Sequence, residues 1–278
     1  FQAEDGIRDC LLSRGLGDVY KRQDGVIRSV ENSYRLSLKK TVYQFCGWEP
    51  SYQDIDNAKN EGIWNNDWDL SLELIKRNIK SKNLQLKPPQ RKDVVHCFEN
   101  FYFGESPNKD SEAWSGFIKN EELLVEKEFF TLLSANRISW GFVSGAESVS
   151  AKFVLEKRLR LESPPLIAMG DAPDKPDPKG FLYLASKLCK DNLGHENIPI
   201  AYVGDTIADI NTVKNAKKII PSQIFISIGV APPHLHLESR IKERNLYEAK
   251  LKEAGADLIL NTVNDLTNID ISFFKKYQ

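Results

Sequence analysis

The sequence predicts an α/β protein, a Rossmann-like parallel sheet flanked by helices and interrupted by an inserted α-helical domain. Three observations predict it. From about Ile138 onward, short apolar runs alternate with helix-patterned segments, the signature of βαβ units. Residues 31–117 carry helical patterns joined by polar linkers. Residues able to do chemistry follow the apolar runs at intervals of about one βα repeat.

The elements follow in order. Ile138 to Val143 (ISWGFV) reads as a strand ending in Ser144-Gly145, and a helix follows with Val149, Phe153, Val154 and Leu155 on its apolar side. Pro165 to Met169 is a weaker strand, and Pro178 to Lys190 a helix. Ile198 to Val203 runs as a strand into Gly204-Asp205, with a helix through Lys217. Ile224 to Ile228 and Ala256 to Leu260 supply two more strands, the second preceded by a charged helix from about Leu237 to Glu253. In the inserted segment helices are expected over Ser33 to Phe45, Trp68 to Lys82 and Arg91 to Phe101. Asn66 or Asp67 is the expected N-cap of the second, and the paired prolines of LQLKPPQRKD separate it from the third.

Composition narrows the function classes. The 278 residues suit one large domain or two unequal ones. Lys+Arg 38 against Asp+Glu 39 leaves a net charge of −1, with no electrostatic footprint for nucleic acid or anionic lipid. No apolar run approaches the roughly 18 residues of a membrane helix, and FQAEDGIRDC lacks the apolar stretch of a signal peptide. A soluble, cytoplasmic protein is expected. Cys10, Cys46, Cys97 and Cys189 form no C-x-x-C pair, which argues against a zinc site or a disulfide framework.

Residues 1–23 (FQAEDGIRDCLLSRGLGDVYKRQ) show no sustained period and resemble translated sequencing-adapter read-through. They are expected to be a foreign or disordered extension. Residues 24–30 and 118–278 then form the α/β core, and residues 31–117 the helical insertion.

Four short stretches fall at strand ends, where an open α/β sheet presents its ligands: Asp24-Gly25-Val26-Ile27, Val143-Ser144-Gly145, Asp174-Lys175-Pro176-Asp177-Pro178, and Val203-Gly204-Asp205-Thr206 with Asp209 following. Lys175 follows Ser144 by 31 residues and Asp205 follows Lys175 by 30, which would set the three along one sheet edge. A hydroxyl and N–H at Ser144-Gly145 can donate to phosphate oxygens. Lys175 brings positive charge for a phosphoryl group. Asp205 and Asp209 offer hard oxygen ligands suited to Mg²⁺, and Asp24 a further carboxylate. The sum is a site for phosphoryl transfer, where positioning and charge neutralisation do most of the work. Each piece alone also has a structural reading. Ser144-Gly145 can be a tight turn, Asp177-Pro178 an N-cap with its following proline, and Asp209 a residue on a solvated face.

DGVI, FVSG, DKPDP and YVGDTIADI resemble the four motifs of the haloacid dehalogenase superfamily of hydrolases. The insertion is similar to the cap of its subfamily IA, which includes phosphoglycolate-phosphatase-like enzymes, and the resemblance runs from Asp24 to near the end of the chain. It implies a Mg²⁺-dependent phosphatase acting on a small phosphorylated metabolite through an aspartyl-phosphate intermediate. It also implies roles. Ser144 and Gly145 would bind phosphoryl oxygens, and Lys175 would steady the nucleophile and the transferred group. Asp205 would bind Mg²⁺ directly, with Asp209 in support. Asp24 would protonate the leaving alcohol and then activate water, its carbonyl touching the metal.

The sequence departs from that pattern at one place. The nucleophilic aspartate belongs two residues before Asp24, where this chain has Arg22. Arginine cannot form an acyl phosphate, so the chain as written is expected to be inactive. Asp18, Lys21 and Arg22 also fit poorly in a central parallel strand, which is normally apolar on both faces. The alternatives are a phosphosugar mutase of the same fold and a catalytically dead phosphate-binding module; a dehalogenase is disfavoured by Asp205 and Asp209. Trp64, Trp68, Phe101, Tyr102 and Phe103 are expected mostly to fill the cap's own core, with Trp64 to Trp68 a candidate lid loop. His234 and His236 are expected on a surface loop. No nucleic-acid or membrane partner is expected, and a homo-oligomer is compatible with the reading.

Overall fold

The computed structural model describes residues 18–21, 25–59, 61, 63–64, 66–190, 193–194 and 198–268. The chain forms two compact units, one of Ser29–Glu122 and one made by the segments on either side of it.

Strand β1 (Asp18–Lys21) is the first element of the first unit among the described residues. The inserted unit follows, with four α-helices among its described residues: α1 (Leu36–Cys46, entered through a π-helical turn at Glu31–Arg35), α2 (Tyr52–Lys59), α3 (Asp67–Ser81) and α4 (Arg91–Phe103). Asn66 caps α3: its Oδ1 accepts from the backbone N–H of Trp68 at 2.9 Å and of Asp69 at 3.3 Å. The unit's own core is aromatic. Phe98, Tyr102, Phe103 and Trp114 are buried, with the Tyr34 ring centroid 4.2 Å from that of Tyr102 and the two planes tilted by 41°. Buried Glu121 takes hydrogen bonds from Ser33 Oγ (2.8 Å) and Tyr102 Oη (2.9 Å), and Arg35 pairs with buried Asp56 at 2.7 Å. Trp64 serves a surface cluster. Its indole N–H donates to Glu61, whose carboxyl the Arg77 guanidinium first, and the indole second, hold down to about 2.

The chain then completes the first unit with α5 (Lys127–Ala135), β2 (Trp140–Val143), α6 (Ser148–Lys152, continued as a π-helical turn to Arg158) and β3 (Leu166–Ile167). After these come α7 (Lys179–Leu188), β4 (Ile200–Gly204), α8 (Ile207–Ile219), β5 (Phe225–Val230), α9 (Ile241–Ala254) and β6 (Leu258–Leu260). The sheet is wholly parallel in the order β3-β2-β1-β4-β5-β6. Strands β4 and β5 are buried on both faces and supply two cores. Ala201 and Val203 of β4 face one with Phe129, Phe130, Phe142 and Ile226, while Ile200 and Tyr202 face the other with Phe181, Leu184, Val213 and Phe225. That split is the two-residue period of a strand.

Three expectations are corrected here. Residues 1–23 were to lie outside the fold, yet Asp18–Lys21 pair with β2 on one side and β4 on the other. Parallel ladders are built from backbone N–H and C=O groups, which any extended segment offers, and β2 and β4 would otherwise present unpaired inner edges. The insertion runs from Ser29 to Glu122 and not from residue 31 to 117. The helices Tyr52–Lys59 and Lys127–Ala135 were not foreseen; both are short, of eight and nine residues. Among the described residues no helix is long and apolar enough to cross a membrane.

Candidate active site

Register fixes where the site lies. Phe142 of β2 and Val203 of β4 are both paired with Lys21 of β1, so the two strands that flank β1 end at the same level. Ser144 and Asp205 each stand two residues further on. They therefore flank the carboxyl end of β1 from opposite sides, about two strand spacings (roughly 10 Å) apart.

Ser144 is buried, at 5% exposure. Its N–H donates to Ile167 O at 2.8 Å, holding it against β3, and its Oγ accepts from the Ala146 N–H at 3.1 Å. The hydroxyl turn opens the chain after the strand, with half-buried Gly145 inside it.

Lys175 enters from the loop before α7, across a cis Lys175-Pro176 peptide. Asn215 of α8 secures that loop by donating to Pro176 O at 3.1 Å, and Asp177 accepts from the Lys179 N–H at 2.9 Å at the start of α7. The Lys175 side chain is 4% exposed and its Nζ donates to Asp209 Oδ1 at 2.8 Å. Longer contacts reach Tyr202 Oη at 3.3 Å and Val143 O at 3.4 Å. The last of these puts the ammonium beside the residue that precedes Ser144.

Asp205 follows β4, at 8% exposure. Tyr247 of α9 donates to its backbone carbonyl at 2.7 Å. Its carboxylate lies directly against the backbone of Gly25, where φ is +77°; a Cβ there would sit 2.6 Å from Asp205 Cγ. Only glycine meets both the left-handed conformation and the close approach. This contact joins the DGVI and GDT stretches in space. Asp24 and Arg22, flanking the same turn in sequence, lie outside the described residues.

Asp209 corrects its expected role as a supporting metal ligand. Its side chain is fully buried. Oδ1 accepts from Lys175 and, at 3.3 Å, from Tyr202 Oη; Oδ2 accepts from Thr206 N (3.0 Å) and Thr206 Oγ1 (2.6 Å). Thr206 and Asp209 form a capping box at the start of α8. The carboxylate thus anchors the lysine and caps the helix, with both oxygens committed. Gly204 makes room for it, since a Cβ there would stand 2.6 Å from Asp209 Cγ.

Among the described residues no group of three or more His, Cys, Asp or Glu side chains gathers into a metal cluster. Mg²⁺ does not need one from the protein: one or two carboxylates suffice when substrate oxygens and water complete the shell. Asp205, with its carboxylate at the strand ends against an open backbone turn, fits that demand; Asp209 does not. His234 is also corrected, being 4% exposed and not on the surface, and His236 Nε2 lies 2.9 Å from Ala231 O. A cavity of 180 Å³ lined by Gly25, Val26, Val230, Pro233 and His236 lies behind the Gly25 turn; Ser144, Lys175 and Asp205 are not on its wall.

No protein-family model matches the chain. It is similar to an imidazoleglycerol-phosphate dehydratase of Phytophthora nicotianae, 29% identical over 240 residues, covering 85% of this chain and 48% of that protein. The chain therefore spans about half the length of this curated relative. Among solved structures it is similar to a phosphonoacetaldehyde hydrolase-like protein from Oleispira antarctica (TM-score 0.66, 16% identity, covering 95% of this chain and 94% of that one). It is also similar to a predicted phosphoglycolate phosphatase from Haemophilus somnus (0.61, 17%, 91% and 97%). A third is a haloacid dehalogenase-like hydrolase from Bacteroides fragilis (0.60, 14%, 90% and 99%).

Proposed function

We propose that this chain, whose fold is that of the haloacid dehalogenase superfamily, carries the site of a phosphoric monoester hydrolase for a small phosphorylated metabolite. In it Ser144, Gly145 and Lys175 hold the phosphoryl group. The observation that carries the reading is the placement of a hydroxyl turn, a buried ammonium and a carboxylate around the carboxyl end of β1. Ser144 and Gly145 offer donors to equatorial oxygens, and Lys175 offsets their charge from a site sheltered from water. Asp205 is the residue that would hold Mg²⁺, which when bound neutralises charge on the phosphoryl oxygens. The insertion is read as the cap that selects the alcohol. Asp24 keeps its expected part as the acid and base at the leaving oxygen. Arg22 stands where the carboxylate nucleophile is needed, so the site as written binds without turning over. A phosphate-binding module is the second reading, and Arg22 is the residue that favours it.

Titration with inorganic phosphate tests the binding half directly. Wild-type protein is expected to bind. Ser144→Ala is expected to weaken binding about ten- to a hundredfold, as for loss of one hydrogen bond to a charged group. Lys175→Met paired with Asp209→Asn, which removes the ammonium together with its counter-charge, is expected to lose it. Equal affinity in all three proteins would sink the reading.

A further inference from the structure

We infer that Tyr202 is a positioning residue for the Lys175 ammonium, an inference that rests on the phosphoryl-binding reading above. Tyr202 lies on β4 three residues before Asp205, in an otherwise apolar run, IPIAYV. It is 1% exposed, and its ring packs edge-on against Phe181 of α7 with centroids 5.1 Å apart. Phenylalanine would fill that slot equally well. The hydroxyl is what the packing does not explain.

That oxygen is 3.3 Å from Lys175 Nζ and 3.3 Å from Asp209 Oδ1. An ammonium has only donors and an ionised carboxylate only acceptors. The phenol oxygen must therefore accept from Lys175 and pass its own proton toward Asp209. The ammonium also lies over the Tyr202 ring, 5.9 Å from its centroid, so the hydroxyl adds to a contact the ring itself makes. Asp209 at 2.8 Å supplies the counter-charge, while Tyr202 and the Val143 carbonyl, at 3.3 and 3.4 Å, set the direction of the remaining protons. Contacts of that length are weak. An arriving oxyanion can accept the ammonium N–H now directed at the phenol oxygen while the ion pair with Asp209 persists. Tyr202 also shares Asp209 Oδ1 with the lysine, which limits how far the carboxylate draws the ammonium away from Ser144.

Proton–nitrogen NMR of lysine ammonium groups in the full-length, phosphate-free protein tests this. The wild-type spectrum is expected to hold a slowly exchanging signal that is absent from Lys175→Met/Asp209→Asn. Tyr202→Phe should shift that signal and speed its exchange, and should weaken inorganic phosphate binding about fivefold, the scale of one hydrogen bond. Phe181→Leu disturbs the same packing without touching a polar atom, and should leave both readouts near wild type. Should Tyr202→Phe fail to fold, protein carrying 3-fluorotyrosine, whose phenol is more acidic, must move the Lys175 signal. A Tyr202→Phe protein with the wild-type signal and affinity, or a fluorotyrosine protein with an unmoved signal, overturns the inference alone. Undiminished phosphate binding by the Lys175→Met/Asp209→Asn protein overturns the site reading as well.

Discussion

Protein of this sequence is expected to release no phosphate from an aryl phosphate in the presence of Mg²⁺, and Arg22→Asp is expected to raise turnover on the order of a thousandfold or more. Covalent phosphoryl transfer needs an oxygen nucleophile, and a guanidinium has no lone pair available and repels a divalent cation. β1 is paired on both sides through Lys21, one residue before position 22. A change of one side chain therefore meets a strand already in register. Should Arg22→Asp remain silent, replacing residues 1–23 with an apolar strand carrying aspartate at position 22 is the stronger repair. Mg²⁺-dependent turnover by the chain as given, abolished in Asp205→Ala, would refute the expectation.

The second large effect is on stability. Lys175→Met is expected to cost about 3–5 kcal/mol of unfolding free energy, because it leaves the Asp209 carboxylate buried without its counter-charge. Adding Asp209→Asn should recover more than half of that loss. Asparagine carries no charge and still caps α8 through an oxygen facing Thr206. The pair is therefore non-additive, and denaturant unfolding of the two single variants and the double variant measures the coupling. Purely additive losses would mean that the 2.8 Å contact is not the ion pair described. The same cycle explains why phosphate binding is compared in the double variant: the single one confounds a lost ligand with a weakened fold.

Much of the fold was legible because its signals are local. The apolar runs at Trp140–Val143, Ile200–Gly204 and Phe225–Val230 are buried on both faces, and such strands announce themselves by composition. Residue type narrowed the cap to Asn66 or Asp67, and Asn66 is the one that caps. β1 was not legible, since DVYK carries no apolar period and its place depends on the edges of β2 and β4 far away in sequence. At the site, the spacing of Ser144, Lys175 and Asp205 was readable from the βα repeat. The division of labour between Asp205 and Asp209 was not. Both are carboxylates in one G-D-x-x-x-D stretch, and only burial and partners separate the one facing the Gly25 turn from the one bound to Lys175 and Thr206. Thr206, three residues before Asp209, was the available clue: the pattern of a capping box. Tyr202 was missed because a tyrosine in an apolar strand reads as core, and its hydroxyl acquires meaning only once Lys175 arrives from another loop.

The central claim is that Ser144, Lys175 and Asp205 surround one oxyanion site at the end of β1. Tungstate, a heavy tetrahedral oxyanion, soaked into crystals of the full chain and located by its anomalous scattering, tests it most directly. An ion within hydrogen-bonding reach of both Ser144 and Lys175 is expected. Tungstate that settles elsewhere, or leaves that position empty at saturating concentration, would contradict it.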